Sequence, residues 1–183
     1  AFFVGFPGQD AYWLMNPGAE AGESSKAGGS KLVRASNGWQ RFLALQPVDN
    51  ESPQFEDING DGRPDLLCQS KGRLGWAEYS LESPQSSWTF HPVSATGTGG
   101  RFTHGLGAGD MNGDGRKDLL MKQGWWQQPT SLVGDPEWQF IPYAFAGRGG
   151  AQMYVYDVDG DGDTDVITAE NAHGYGLAWF ERI

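Results

Sequence analysis

One cysteine, Cys68, occurs in the 183 residues, so no disulfide can form within the chain. It sits in the apolar stretch DLLCQ, where a small strand side chain is expected rather than a nucleophile. No apolar run approaches the length of a membrane-spanning helix. Basic residues are outnumbered, 13 Lys and Arg against 23 Asp and Glu, giving a formal charge of −10. That sign argues against general affinity for nucleic acid or for anionic membranes. No convincing amphipathic helix pattern occurs anywhere. The opening AFFVGF lacks a basic flank and is too short for a signal peptide. A start without methionine fits a processed or excised piece of a longer protein.

Turn-formers and large aromatic side chains are plentiful. The chain has 28 glycines, 10 prolines and eight tryptophans, with aromatics at 13%. Disordered segments lack aromatics and collagen needs a strict glycine period, so neither class fits. The length suffices for a buried core. Many turns and many large apolar residues together predict an all-β globule of short strands.

One acidic phrase is written three times: DINGDGRPDLL from Asp57, DMNGDGRKDLL from Asp110 and DVDGDGDTDVI from Asp157. The first two starts are 53 residues apart and the last two 47. Tryptophans keep a similar period in two columns: Trp13, Trp76, Trp126 and Trp179, then Trp39, Trp88 and Trp138. Trp125 is left over as an added aromatic. A polar insertion, GAEAGESSKAGGSKL, widens the first unit and reads as a surface loop.

Four short strands per unit at a period near ~50 predict a β-propeller with one blade per repeat. The approximate units are 1–49, 50–98, 99–148 and 149–183. Two blades are whole and two partial: the first unit lacks its opening strand and acidic loop, and the last lacks its closing strand. The expectation is a segment of a larger propeller, completed by the remainder of that propeller or by a second chain. Otherwise blade edges would stand open to edge-to-edge pairing.

Within each phrase, side-chain oxygens fall at positions one, three, five and nine. These are Asp57, Asn59, Asp61 and Asp65; Asp110, Asn112, Asp114 and Asp118; and Asp157, Asp159, Asp161 and Asp165. Position six is always glycine, which permits a sharp turn. Position seven (Arg63, Arg116, Asp163) offers a backbone carbonyl. Hard oxygen ligands in a tightly curled loop suit Ca²⁺, at about 2.3–2.6 Å each. The loops hold no cysteine or histidine, so zinc and copper fit poorly. Helical flanks and a glutamate at position twelve are both missing, which excludes an EF-hand. Eleven of the 23 acids lie in these phrases, and three divalent cations would bring the charge to −4.

The phrase and its blade context resemble FG-GAP or VCBS-type repeats of calcium-stapled β-propellers, such as integrin α-subunit heads. YWLMNPG, RFTHGLGAGDMNGDGRKDLL, GWWQQP and AHGYGLAWFE are similar to repeat proteins of planctomycetes and related bacteria. The resemblance spans nearly the whole chain. It implies the propeller fold, calcium held by the matching positions, and a secreted, periplasmic or cell-surface location.

Blade topology puts the acidic loops at one end of the sheets. The opposite end should carry Arg101, His104, Arg148 and His173, a surface suited to a protein or an acidic glycan. The leading expectation is a non-catalytic, calcium-stabilised binding platform, with no nucleic-acid partner and no membrane insertion. A lyase-like enzyme using His104 and His173, with Tyr175 near, is the catalytic alternative. A purely structural spacer is the third. The remaining histidine, His91, is expected to pack within a strand.

Overall fold

The computed structural model describes residues 1–17, 38–150 and 152–182. The polar insertion predicted as a surface loop lies outside them. Among the described residues there are fourteen strands and no helix. They form four antiparallel sheets in chain order.

The first sheet holds β1 (Phe2–Val4), β2 (Gln9–Met15) and β3 (Gln40–Val48). The second holds β4 (Gln54–Glu56), β5 (Asp65–Ser70), β6 (Arg73–Glu78) and β7 (Thr89–Pro92). The third holds β8 (Leu106–Gly109), β9 (Asp118–Met121), β10 (Gly124–Gln127) and β11 (Gln139–Pro142). The fourth holds β12 (Met153–Tyr156), β13 (Asp165–Ala169) and β14 (Leu177–Phe180). Each is a simple meander, as in propeller blades: two of four strands and two of three.

Period-two alternation decides which neighbour each side chain meets. On β5, Leu66 and Cys68 pack toward Ala11, Leu45 and Val48 of the first sheet. Leu67 points the other way, into a cluster with Leu106, Leu119 and Met121 of the third. On β9 the same split recurs, with Leu120 turned toward Met153 and Val166 of the fourth sheet. On β5 and β9 each apolar residue is therefore committed to one inter-blade interface. Cys68 is fully buried, and burial pushes its thiol well above the usual range, so it serves as a core side chain.

The registers correct one tryptophan column. Trp76 lies opposite Leu67, whereas Trp126 lies opposite Leu119. Leu67 occupies the position of Leu120, and Trp125 is the residue opposite Leu120. Trp179, opposite Ile167, belongs with them. The structural column is thus Trp76, Trp125 and Trp179, and Trp126 stands where the second sheet has Ala77. The equal spacing of 12 residues from Trp76 to Trp88 and from Trp126 to Trp138 misled because the connection between β10 and β11 carries one residue more than that between β6 and β7, so the matching tryptophan is Trp125, 13 residues before Trp138. Trp179 is 49% exposed, since no following sheet covers that face among the described residues.

The other column seals interfaces from the rim. The amides of Trp88 and Trp138 donate to the carbonyls of Ala44 and Val93 in the preceding unit, at 2.7 and 3.0 Å. Toward the inner edge, β8 runs so close to β12 that a Cβ on Gly109 would sit 2.3 Å from Val155 Cβ. Glycine at this point is what lets consecutive blades meet.

Candidate metal centres

Each acidic phrase forms the connection between the first and second strands of its sheet, and the three loops share one hydrogen-bond plan. The position-one carboxylate is the hub. Asp57 accepts from the amides of Gly60 (2.8 Å), Asp61 (3.1 Å) and Gly62 (2.9 Å). Asp110 accepts from Gly113 (2.7 Å), Asp114 (3.1 Å) and Gly115 (2.7 Å). Asp157 accepts from Gly160 (2.7 Å) and Gly162 (3.1 Å). At position three, Asn59, Asn112 and Asp159 each accept from the amide two residues on. So do Asp61, Asp114 and Asp161 at position five. These interlocking turns curl the loop with its oxygens on the inside.

The position-nine aspartates are the buried members. Asp65, Asp118 and Asp165 are all at or below 2% exposed. Each accepts from the amide at position two of its loop, Ile58, Met111 or Val158. Asp118 also accepts from Gln128 at 2.8 Å, and Asp165 from Arg182 at 3.0 Å, just beyond the third strand of each sheet. Position nine therefore clamps the loop to the sheet, a role beyond the ligand role its spacing suggested. Burial pushes Asp65 and Asp118 up to about 6 despite these bonds. Asp165 is instead held below the usual carboxylate range, chiefly by the Arg182 amide.

Residues at position seven separate the loops. Arg63 and Arg116 lay their guanidinium groups on Asp61 and Asp114. Partial burial pushes Asp114 up, but bonds from Asn112 and from the Arg116 amide and guanidinium more than offset it and leave it lowered. The third loop has Asp163 there instead. Burial and then the Asp161 charge raise Asp163, and its Oδ1 is shielded from solvent without a hydrogen-bond partner.

The donor set fits a hard divalent cation. Carboxylate oxygens of Asp157, Asp159 and Asp161 lie within 4.8 Å of one another. A carboxylate oxygen that accepts one amide retains a further lone pair. Asp163 and the position-nine Asp165 are not among these clustered oxygens. Asp57, Asn59, Asp61 and Asp65, and Asp110, Asn112, Asp114 and Asp118, repeat the same curl with an amide oxygen at position three.

The three loops are coupled. The Gln128 side chain donates to the carbonyls of Ile58 (2.8 Å) and Lys117 (3.1 Å), linking the first loop to the second. The Thr164 hydroxyl donates to the Asp110 carbonyl, linking the third loop to the second. Lys117 pairs with Glu56 across the same boundary at 3.1 Å.

At the opposite end of the sheets, the structure brings two of the four predicted ligand-binding residues together. His104 and His173 approach with their Nε2 atoms 3.1 Å apart. Glu51, which the sequence reading missed, reaches His104 Nδ1 at 3.2 Å. Arg101 packs over Gly8, and Arg148 is exposed. Tyr175 is 98% exposed. His91 stacks on Trp76 at 4.2 Å and also meets Asp135 and Glu78. Between the first and second sheets lies an apolar cleft of about 330 Å³, lined by Phe2, Trp13, Phe55, Tyr79 and Trp88 among others.

No helix of the described residues is long and apolar enough to cross a membrane. No curated protein and no solved structure matches the chain. The family model of the FG-GAP-like repeat matches residues 57–121, from the first residue of the first acidic loop to the end of β9. That match covers two of the three loops and the blade-to-blade step between them. Residues 57–121 are accordingly an FG-GAP-type repeat, set within four antiparallel propeller blades.

Proposed function

We propose that this chain is a non-catalytic, calcium-stabilised propeller platform of an exported protein. One Ca²⁺ sits in each acidic loop, and the opposite end or the aromatic cleft receives a protein or carbohydrate partner. The observation that carries this reading is the recurrence of one oxygen-lined loop, with the same amide-to-carboxylate bonds, in three successive sheets. Turns formed by aspartate and glycine alone need no such repetition of every oxygen column. An exported protein bathed in calcium needs only micromolar-to-millimolar affinity.

Titrating metal-stripped protein with Ca²⁺ tests the metal part. Three equivalents are expected, with the melting temperature rising as the loops fill. A site saturated at about 100 times its Kd adds about 2.7 kcal/mol. A melting curve unmoved by Ca²⁺, with no ion bound, would overturn it. For the partner, a glycan array and a pull-down with the intact parent protein are expected to give a ligand lost on Arg101→Ala, Arg148→Ala or Trp88→Ala substitution. Empty results from both would favour a spacer role instead.

The contact between His104 and His173 favours one second reading, a lyase-like reaction on an acidic polysaccharide. Unsaturated products that vanish in the His104→Ala, His173→Ala double variant would support it. Their absence from every substrate tried would leave the platform.

A further inference from the structure

The acidic loops leave one metal-binding chemistry in this chain unused. Three connections converge at the end of the sheets opposite those loops. Glu51 lies between β3 and β4, His104 between β7 and β8, and His173 between β13 and β14. Their potential ligand atoms all lie within 4.8 Å of one another. Backbone contacts hold the three segments together. The Glu51 amide donates to the Thr103 carbonyl at 3.4 Å, next to His104. Gly149 bridges to Asn171, and the Ala172 amide donates to the Gly149 carbonyl at 2.8 Å, which fixes the strip carrying His173. The His173 amide itself donates to Asn171 Oδ1 at 3.2 Å. Gly149 must be glycine for this approach: its φ is +90°, and a Cβ there would fall 2.9 Å from the His104 carbonyl oxygen. The site is thus built on backbone rather than on free side chains meeting by chance.

Its chemistry follows from the two rings. Two imidazole Nε2 atoms 3.1 Å apart cannot both carry a proton on the shared line. Glu51 Oε2 makes an ion-pair contact with His104 Nδ1 at 3.2 Å, and its negative charge favours the proton on that nitrogen. The tautomer left has the Nε2 lone pair of His104 directed toward His173. A carboxylate fixing the far nitrogen of a metal-bound imidazole is a recurrent arrangement, and it raises ligand basicity. In a tetrahedral zinc site, nitrogens at about 2.0–2.1 Å from the ion are separated by about 3.3 Å. The separation here is within a few tenths of an ångström of that value. The rings meet edge to face, at 82° with centroids 4.8 Å apart, so they do not block each other's lone pairs by stacking. His104 is mostly buried, with 14% of its side chain exposed, while His173 is open to solvent. An ion has an entry path on one side and a fixed ligand on the other.

We infer that His104 and His173 bind a divalent transition-metal ion of the zinc class, with Glu51 orienting His104. Imidazole nitrogen selects zinc, copper or nickel over calcium, so this site and the oxygen-lined loops sort two metals to opposite ends of one scaffold. With two imidazoles supplied by the chain, the remaining coordination positions are open to water or to a donor group of a partner. Because His104 lies in the connection from the second sheet to the third and His173 in the fourth, the bound ion would also clasp the blades.

The probe is Zn²⁺ alone, titrated into metal-stripped protein in the presence of saturating Ca²⁺, with binding read by calorimetry and by competition against a chromophoric chelator. One equivalent is expected, with affinity unchanged by further Ca²⁺ and a raised melting temperature. His173→Ala, at an exposed position where folding should survive, is expected to weaken binding at least tenfold. Glu51→Gln, which keeps shape but loses charge, should weaken it by about 10–100-fold, the usual effect of removing such a partner. Circular dichroism of each variant in Ca²⁺ confirms the fold. Zinc binding equal in wild type and in the folded His173→Ala variant would overturn the assignment. So would zinc that Ca²⁺ displaces, because that ion would sit in the acidic loops. Absence of bound zinc would reduce the pair to a hydrogen bond between two histidines and also overturn it. None of these results depends on whether the loops bind calcium.

Discussion

Replacing Trp126 with alanine should cost more than replacing Trp125, although the period of the sequence puts Trp126 in the repeat column and leaves Trp125 over. Trp126 is 5% exposed and lies in the cluster shared with Leu67, Trp76 and Leu106. Its ring also meets Phe140, with centroids 4.6 Å apart. The position opposite Leu66 in the second sheet is Ala77, so alanine suits the backbone and the loss is a void. A buried tryptophan covers about 150–250 Å². At about 25 cal/mol per Å² the transfer part is about 4–6 kcal/mol, an upper bound because the unfolded chain buries some of that area too. Measured truncations of buried aromatics fall at about 3–5 kcal/mol, which we expect here. In a domain of this size that lowers the melting temperature by about 6–20 °C. Trp125 packs only part of its surface against the cluster of Leu120 and Phe145. About half that loss is expected for Trp125→Ala. Urea and thermal unfolding, followed by circular dichroism with Ca²⁺ fixed, would measure both. A larger loss for Trp125→Ala, or less than about 1 kcal/mol for Trp126→Ala, would refute the register-based assignment.

Three further outcomes follow from the geometry. Gly109→Val should prevent folding, because even the Cβ would meet Val155 at 2.3 Å, whereas Gly147→Ala should be neutral, since nothing lies within 4 Å of it; soluble yield and melting temperature compare them. In excess chelator, Asp118→Ala should still destabilise by about 1–3 kcal/mol, since it strands amides that now have a buried acceptor. Asp114→Ala, at an exposed position, should matter mainly when Ca²⁺ is present, so denaturant titrations with and without the ion separate clamp from ligand. Metal-stripped protein should be more stable near pH ~5 than near pH ~7.5. Asp65 and Asp118 hold protons up to about 6 when folded against 3.8 as free side chains, so stability is lost as pH rises through that window. The lowered Asp114 and Asp165 act only below the ordinary carboxylate range. Saturating Ca²⁺ should reverse the trend by competing with those protons, and a melting temperature that falls from pH ~7.5 to ~5 in the stripped protein would contradict the sign.

Much of this was legible in the residues because it depends on local periods. DLLCQ was legible as strand, since its Leu66–Cys68 apolar run between turns is committed to burial on both faces. The acidic loops were legible because aspartate and glycine at alternate positions encode a turn within the loop itself. The tryptophan register was not, because one extra residue in the connection between β10 and β11 shifts the spacing by one, and a one-residue slip reverses which face a side chain occupies. GWW looks like a column residue with an added neighbour, and only pairing to Leu119 and Leu120 tells which tryptophan is which. Glu51 was missed for a similar reason: its role depends on a contact 53 residues away in the chain, with nothing local to flag it.

The sequence by itself determined the all-β class, the four-unit meander and the three oxygen-lined loops. Each follows from patterns within about a dozen residues, where backbone preference and side-chain alternation act directly. Tertiary structure decided which faces meet, which aspartate is buried as a clamp, and that Glu51, His104 and His173 share one site. Those outcomes depend on how sheets stack, and stacking joins residues that no local period connects.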